Sequence, residues 1–170
     1  MNVVENLRKD SIEWISNLTN EEIHAIRKYS YNSFEEGEDK FYSRINAMLR
    51  GDIPTDSTLE KYIDIISKAL KKSKTKRTIT CYRRVNVNPV ECFSNGDYFS
   101  LYQFISTSVI ESKALPGKYT MVIKVPKGIA AGYIEKISIF PKQRELLLDK
   151  DCIYRLISVK GTVIEMEVIS

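Results

Sequence analysis

Apolar residues recur every three or four positions from residue 11 to residue 72, and every second position after Thr78. The first spacing belongs to helices with one buried face, the second to strands. In the helical half, Thr19 and Glu22 form a capping box, with Leu18 and Ile23 as the two halves of a hydrophobic staple. This predicts a helix that starts at residue 20 and buries Ile23, Ile26 and Tyr29. A second helix carries Phe41, Ile45, Met48 and Leu49 on one face and ends at Gly51. A third, after Pro54 and an Asp56 cap, carries Leu59, Tyr62, Ile63, Ile66 and Leu70. In the other half TITCYRRV, YTMVIKV, RELLL, CIYRLISV and TVIEMEVI read as strands, with turn signals at Asn95-Gly96, Pro116-Gly117, Lys127-Gly128 and Lys160-Gly161. Helices first and strands afterwards imply an α+β domain, helices packed against a mostly antiparallel sheet assembly. The helical layer is expected over about residues 1–75 and the β-rich core over about 76–170, with no repeat or linker dividing them.

Composition narrows this picture by exclusion. A chain of 170 residues is long enough for one domain that buries roughly two thirds of its unfolded surface and holds a cleft without staples. The cysteines Cys81, Cys92 and Cys152 are odd in number, widely spaced and set in apolar strand-like runs. They are expected to be buried thiols rather than a disulfide framework or a zinc site. His24, the only histidine, lies in an amphipathic helix, which disfavours a histidine-dependent triad and a metal centre. The net charge of +4 is mild, and the one dense basic run, KKSKTKR from Lys71 to Arg77, follows a helix end where cations suit the dipole. That run lacks interleaved aromatics and reads as a solvated linker, so nucleic acid is not expected as a partner. The first residues mix charge into their apolar positions, no run approaches about 18 apolar residues, and a soluble chain without membrane insertion is expected. Neither GxGxxG after a strand nor GxxxxGK[ST] is present.

Three short stretches carry candidate chemistry. In TITCYRRV the alternation puts Arg83 on the face of Ile79, Cys81 and Val85. A guanidinium there either meets carboxylates or phosphates, since leaving it unpaired costs several kcal/mol, or snorkels at the strand end. FISTS, Phe104 to Ser108, places three hydroxyls behind a short apolar lead; by itself it reads as a plain strand edge or serine-threonine turn rather than a site. Gln143 and Glu145 share one strand parity and are expected to project from one face at the mouth of the RELLL strand. By themselves they also fit a solvated turn.

Taken in order, an arginine in a first strand, aromatic-x-Ser-Thr-Ser, and Gln-x-Glu opening a later strand resemble the Arg, Ser, Glu signature of bacterial mono-ADP-ribosyltransferase toxins. The sequence is most similar to the clostridial Rho-modifying exoenzymes and resembles the catalytic domains of actin-modifying binary toxins. WISNLTNEEIHAIRKYSYNSF, RINAMLRG and VPKGIAAGYIEKISIFPKQRELLL resemble further segments of the family, so the likeness covers about residues 11 to 160. It implies a fold in which N-terminal helices pack on two mostly antiparallel sheets that enclose a cleft for NAD, the co-substrate, with no metal. Glu145 matches the invariant glutamate that holds the ribose 2′-hydroxyl and offsets the positive charge of an oxocarbenium-like state. Ser106 matches the serine that orients it. Arg83 matches the strand arginine near the phosphates. Asn46 and Arg50 match helix-end residues on the diphosphate and adenosine side, and Arg84, Thr107, Ser108 and Lys118 complete the expected NAD contacts.

The resemblance also bears on the acceptor. Family members with glutamine at the place of Gln143 modify an asparagine or glutamine amide, because one amide can align another; glutamate there goes with arginine. Phe140 matches an aromatic on the exposed turn that contacts the target, here expected to be a host Rho-family GTPase reached by a secreted, monomeric toxin. Three departures stand against the pattern: the acidic insertion EEGED between Ser33-Phe34 and Ile45-Asn46, Arg84 in place of a common glycine, and Lys118 near the place of a phosphate-touching arginine. An arginine-directed (actin-type) transferase, an NAD glycohydrolase and a non-catalytic toxin docking domain are the rival readings.

Overall fold

The structure is a computed structural model that describes residues 2–31 and 40–170. The EEGED insertion and Ser33-Phe34 fall outside the described residues. Among the described residues five helices come first: α1 (Val3–Asp10), α2 (Ile12–Ser16), α3 (Asn20–Tyr29), α4 (Phe41–Leu49) and α5 (Ser57–Lys71). The predicted signals form as hydrogen bonds. The Thr19 hydroxyl accepts from the Glu22 amide at 3.1 Å while the Glu22 carboxylate accepts from the Thr19 amide at 3.0 Å. The Asp56 carboxylate accepts from the Leu59 amide at 2.9 Å. Satisfying these otherwise orphaned donors fixes where α3 and α5 begin. Gly51, at φ +81°, ends α4 in the left-handed conformation that favours glycine. Among the described residues no helix is long and apolar enough to cross a membrane.

Eight strands follow: β1 (Ile79–Val85), β2 (Tyr98–Ser100), β3 (Ile105–Ser108), β4 (Tyr119–Val125), β5 (Ala131–Tyr133), β6 (Glu145–Leu148), β7 (Ile153–Lys160) and β8 (Val163–Val168). They are ordered β2-β7-β8-β4-β1-β3-β6-β5, and every neighbouring pair is antiparallel except β4 with β8. The two expected sheets are therefore two arms of one continuous sheet. Their junction is thin: β1 meets β4 over seven residue pairs but meets β3 only through Tyr82 and Ser108. At that junction the sheet opens.

The core falls into two clusters, one spanning both arms of the sheet and one between the sheet and the helices. Leu146 and Leu148 join Ile79, Cys81, Ile105 and Ile123 in one cluster, while Leu147 faces the helices with Ile26, Ile45, Ile66, Phe104 and Ile134 in the other. The alternation of β6 thus buries both of its faces. The basic run Lys71–Arg77, expected to be a solvated linker, is stitched down: Lys71 pairs with Asp151 at 2.6 Å, Lys72 with Glu22 at 3.1 Å and Arg77 with Asp10 at 2.6 Å. Three of the run's five cations thus find carboxylates on the body of the protein. Cys81 and Cys152 are buried as expected, but Cys92 is exposed because its segment is an irregular turn rather than a strand.

Candidate active site

Where β1 and β3 part, a cleft of about 190 Å³ opens, lined from α3 and α4 by Tyr29, Ser30, Tyr42 and Asn46. The sheet adds Tyr82, Arg83, Arg84, Ser106, Thr107, Ser108 and Glu145; the loops add Lys113 to Pro116 and Gln143. Three of the sequence's separate motifs, TITCYRRV, FISTS and Gln-x-Glu, thus converge on one cavity.

Glu145 begins β6 and is only 3 % exposed. Antiparallel pairing places it opposite Ser108 and diagonally from Ser106, on one face of the sheet. Neither carboxylate oxygen has a hydrogen-bond partner among the described residues. The Ser106 hydroxyl is near enough to favour the charged form without being aligned as a hydrogen bond. A buried carboxylate with open acceptor sites is a costly arrangement for stability alone. Burial pushes the Glu145 carboxyl up to about 7, against the Ser106 hydroxyl and the Arg83 charge, which both pull it down.

The folded value, about 7, lies above the ordinary 4.5, so between them the folded chain holds a proton that the unfolded chain has lost. Stability falls as pH rises across that window and then levels, a cost on the order of 3 kcal/mol. Glu145→Gln, which never ionises, is expected to melt above the wild type at pH 8, with the difference vanishing near pH 4; thermal unfolding across pH checks this.

Arg83 leaves β1 half-buried, and its Nη1 donates to the Ser106 carbonyl at 3.1 Å. It makes no ion pair among the described residues and lines the cleft beside Glu145, so its charge remains available to an anion. Arg84 Nη1 donates to the Ala114 carbonyl at 3.2 Å, holding the loop over the cleft. Directly beyond, a Cβ on Gly117 would meet the main chain of Arg84 and Val85 at 2.7–2.8 Å, so only glycine lets that loop lie so close to β1.

The hydroxyls of FISTS divide their tasks. Thr107 Oγ1 donates to the Leu146 carbonyl at 2.7 Å, and Ser108 Oγ donates to the Ile110 carbonyl at 2.8 Å in a turn. Ser106 is the one whose hydroxyl bears on Glu145. Asn46 is buried: its Nδ2 donates to the Tyr29 hydroxyl at 2.8 Å, and its Oδ1 accepts from the Phe104 amide at 3.2 Å. Its amide therefore locks α4 to α3 and to Phe104, just ahead of β3, at the cleft wall. Burial pushes the Tyr29 hydroxyl up to about 12, partly countered by Asn46.

The Gln143–Glu145 segment is not the extended pair that strand parity suggested. Pro141–Gln143 is a 3-10 turn and Arg144 is left-handed at φ 51°, ψ 51°, with the strand starting only at Glu145. Both side chains still line the cleft, but they reach it through a turn that costs a non-glycine residue about 1 kcal/mol. Phe140 is half-buried, stacked on Tyr31 at 5.9 Å, while Ile139 beside it is exposed. A neighbouring shallow groove runs from Gln143 through Pro141 to Ser112, sharing Lys113 and Gln143 with the cleft.

Two of the sequence-derived NAD contacts lie off the cleft lining. Arg50 pairs with Asp52 at 2.9 Å and bonds Gln103 on the surface. Lys118 is exposed, its ammonium 5.4 Å from the centre of the Tyr119 ring. In its stead Lys113 enters the cleft from a 3-10 turn. Lys113, Tyr29 and Tyr42 do not stand out as site residues in the sequence. Lys113 carries only the signal of a cation shortly after FISTS, and the two tyrosines that of ordinary helix positions.

The NAD(+)--arginine ADP-ribosyltransferase EFV of Enterococcus faecalis is 26% identical over 175 residues, which take in 96% of this chain; the chain spans about a third of that relative's length, 34%. Plx2a, an ADP-ribosyltransferase toxin from Paenibacillus larvae, is 28% identical and superimposes with a TM-score of 0.82 over 98% of this chain and 94% of its own. The Clostridium limosum C3 exoenzyme, at 21% identity, shares the fold, with a TM-score of 0.79 over 100% of this chain and 96% of its own. Residues 6–167 match the family model of the ADP-ribosyltransferase exoenzyme, and the chain belongs to that family.

Proposed function

We propose that the protein cleaves NAD and transfers its ADP-ribose to the side-chain amide of an asparagine or glutamine in a host protein, a Rho-family GTPase, after secretion by the bacterium. The observation that carries the chemistry is the buried, hydrogen-bond-deficient carboxylate of Glu145 beside Ser106 and Arg83 in the cleft. A ribose hydroxyl would supply the missing donor. As the bond from ribose C1′ to the nicotinamide nitrogen breaks, nicotinamide leaves with the bonding pair and C1′ becomes cationic. A carboxylate in a low-dielectric site stabilises that charge far better than water does. Arg83 and Lys113 are the cations placed to hold the pyrophosphate, Arg83 with the fork that suits it. The acceptor amide nitrogen then bonds to C1′ and releases its proton.

Gln143 supports an amide acceptor, since its own amide can both donate to and accept from another. A second reading has a specific support: the Enterococcus relative is named for arginine. Incubation with labelled NAD and a host-cell lysate, followed by mass spectrometry of the labelled residue, separates the two. The expected label is on an amide, and Gln143→Glu is expected to lower amide labelling at least about tenfold, the order a lost transition-state contact costs. Labelling of arginine by the wild type would overturn the amide assignment.

A further inference from the structure

We propose that Glu135 and Arg8 are positioning residues for the reaction, forming with Arg144 an ion-pair clamp by which the N-terminal helix holds the Gln143–Glu145 segment in its productive shape. The proposal rests on the function inferred above and adds to it a control element outside the cleft. Arg8 grips Glu135 with both ends of its guanidinium, Nε to Oε2 at 2.6 Å and Nη2 to Oε1 at 2.9 Å. The Arg144 guanidinium pairs with the same carboxylate. Glu135 itself is buried, 7 % exposed, where a carboxylate requires charged partners, and the two guanidiniums supply them.

The reason for a clamp lies in the backbone. Arg144 is left-handed, and that conformation turns the chain from the 3-10 turn carrying Gln143 into the strand carrying Glu145. Glycine would adopt it freely; arginine does so against a steric penalty. The Arg144 amide donates to the Pro141 carbonyl at 3.2 Å, and two further interactions offset that penalty. The Arg144 carbonyl accepts from the Val109 amide at 3.0 Å, which any residue could provide, and its guanidinium reaches Glu135, which only this side chain provides. Helix α1 is in turn fixed by Leu7 in the sheet-side core and by a two-point Arg77–Asp10 pair at 2.6 and 2.8 Å. The catalytic segment is thus tied to the first ten residues of the chain.

The decisive measurement is a mutant cycle on NAD cleavage. Glu135→Gln is expected to lower kcat about tenfold with KM for NAD changed less than about twofold, because misplacement of the reacting groups, not NAD binding, is at stake. In an Arg144→Gly background, where glycine holds the turn unaided, Glu135→Gln is expected to change kcat less than about twofold. An equal fall in both backgrounds, or no fall in either, would overturn the clamp. Should Glu135→Gln fail to fold, Arg8→Gln, which leaves the Glu135–Arg144 pair in place, should show a smaller loss that likewise vanishes with Arg144→Gly. Trypsin cleavage after the exposed Lys142 provides a readout independent of activity. It should quicken about tenfold in Glu135→Gln as the segment opens more often, and an unchanged rate would count against the clamp. If the wild type cleaved no NAD, the proposed function would fail while the trypsin rate still decided whether the clamp exists.

Discussion

Glu145→Gln should lower nicotinamide release about a thousandfold, on the scale by which single preorganised electrostatic groups act on a charge-developing transition state. The substitution keeps the volume and planarity of the side chain and removes the charge. It leaves the neighbours undisturbed, since neither carboxylate oxygen holds a hydrogen bond among the described residues. Activity and stability should therefore part company: the variant melts higher than the wild type above pH 7 yet releases almost no nicotinamide. That opposition marks a group kept for function at the expense of the fold. In the wild type, kcat/KM for NAD should rise with pH through an apparent value near 7, the pH at which half of the free protein carries the charged carboxylate. Nicotinamide release within a few fold of wild type in the variant would remove Glu145 from the mechanism.

The largest effect on stability is expected far from the cleft. Gly132 lies in β5 under the indole of Trp14, where a Cβ would come within 2.3 Å of Trp14 Cη2, 2.9 Å of its Cζ3 and 3.0 Å of Leu70 Cδ2. The indole cannot retreat without cost, because its Nε1 donates to the Ala69 carbonyl at 2.9 Å and its body fills the helix-side core. Gly132→Val forces either the ring out of that core or α5 away from the sheet. Overpacking of this kind costs about 3 kcal/mol, more than a hundredfold in the folded-to-unfolded ratio; denaturant unfolding measures it. A variant within 0.5 kcal/mol or so of wild type, the range of an ordinary surface change, would mean that the helical layer slides freely on β5. Since β5 pairs with β6, the strand of Glu145, the same variant also tests how far the helix layer supports the cleft.

Local signals are legible along the chain wherever an element's own residues carry its instructions. Thr19 with Glu22 and Asp56 before Leu59 cap their helices through bonds within one turn, so no distant residue is needed to read them. The long strands β1, β4, β7 and β8 keep a period of two because one of their faces is at least partly open to solvent. Short strands are another matter. Ala131–Tyr133 and Tyr98–Ser100 contain three residues each, too few for any period, and exist because β6 and β7 supply partners. In the site, Arg83, Ser106, Gln143 and Glu145 stand out in the sequence and meet in one cleft. The sequence points to Lys118 where the cleft holds Lys113, as distance along the chain from FISTS does not say which way a loop will turn.

By itself, then, the sequence determined the helical and sheet halves, the capped ends of α3 and α5, and three of the charged residues that line the cleft, Arg83, Arg84 and Glu145, but not Lys113. These are matters of side-chain chemistry and of contacts within a few residues. Tertiary structure alone decided that the sheet opens at Tyr82 and Ser108, that Gln143 and Glu145 come together through a left-handed Arg144 instead of a straight strand, and that Arg8 from the first helix stands behind that turn. Each of these depends on groups brought together across long stretches of chain. The physical reason is the same in all three. Whether a strand pair ends early, a strained dihedral is tolerated, or a carboxylate stays charged when buried is settled by the free energy of partners from elsewhere in the fold.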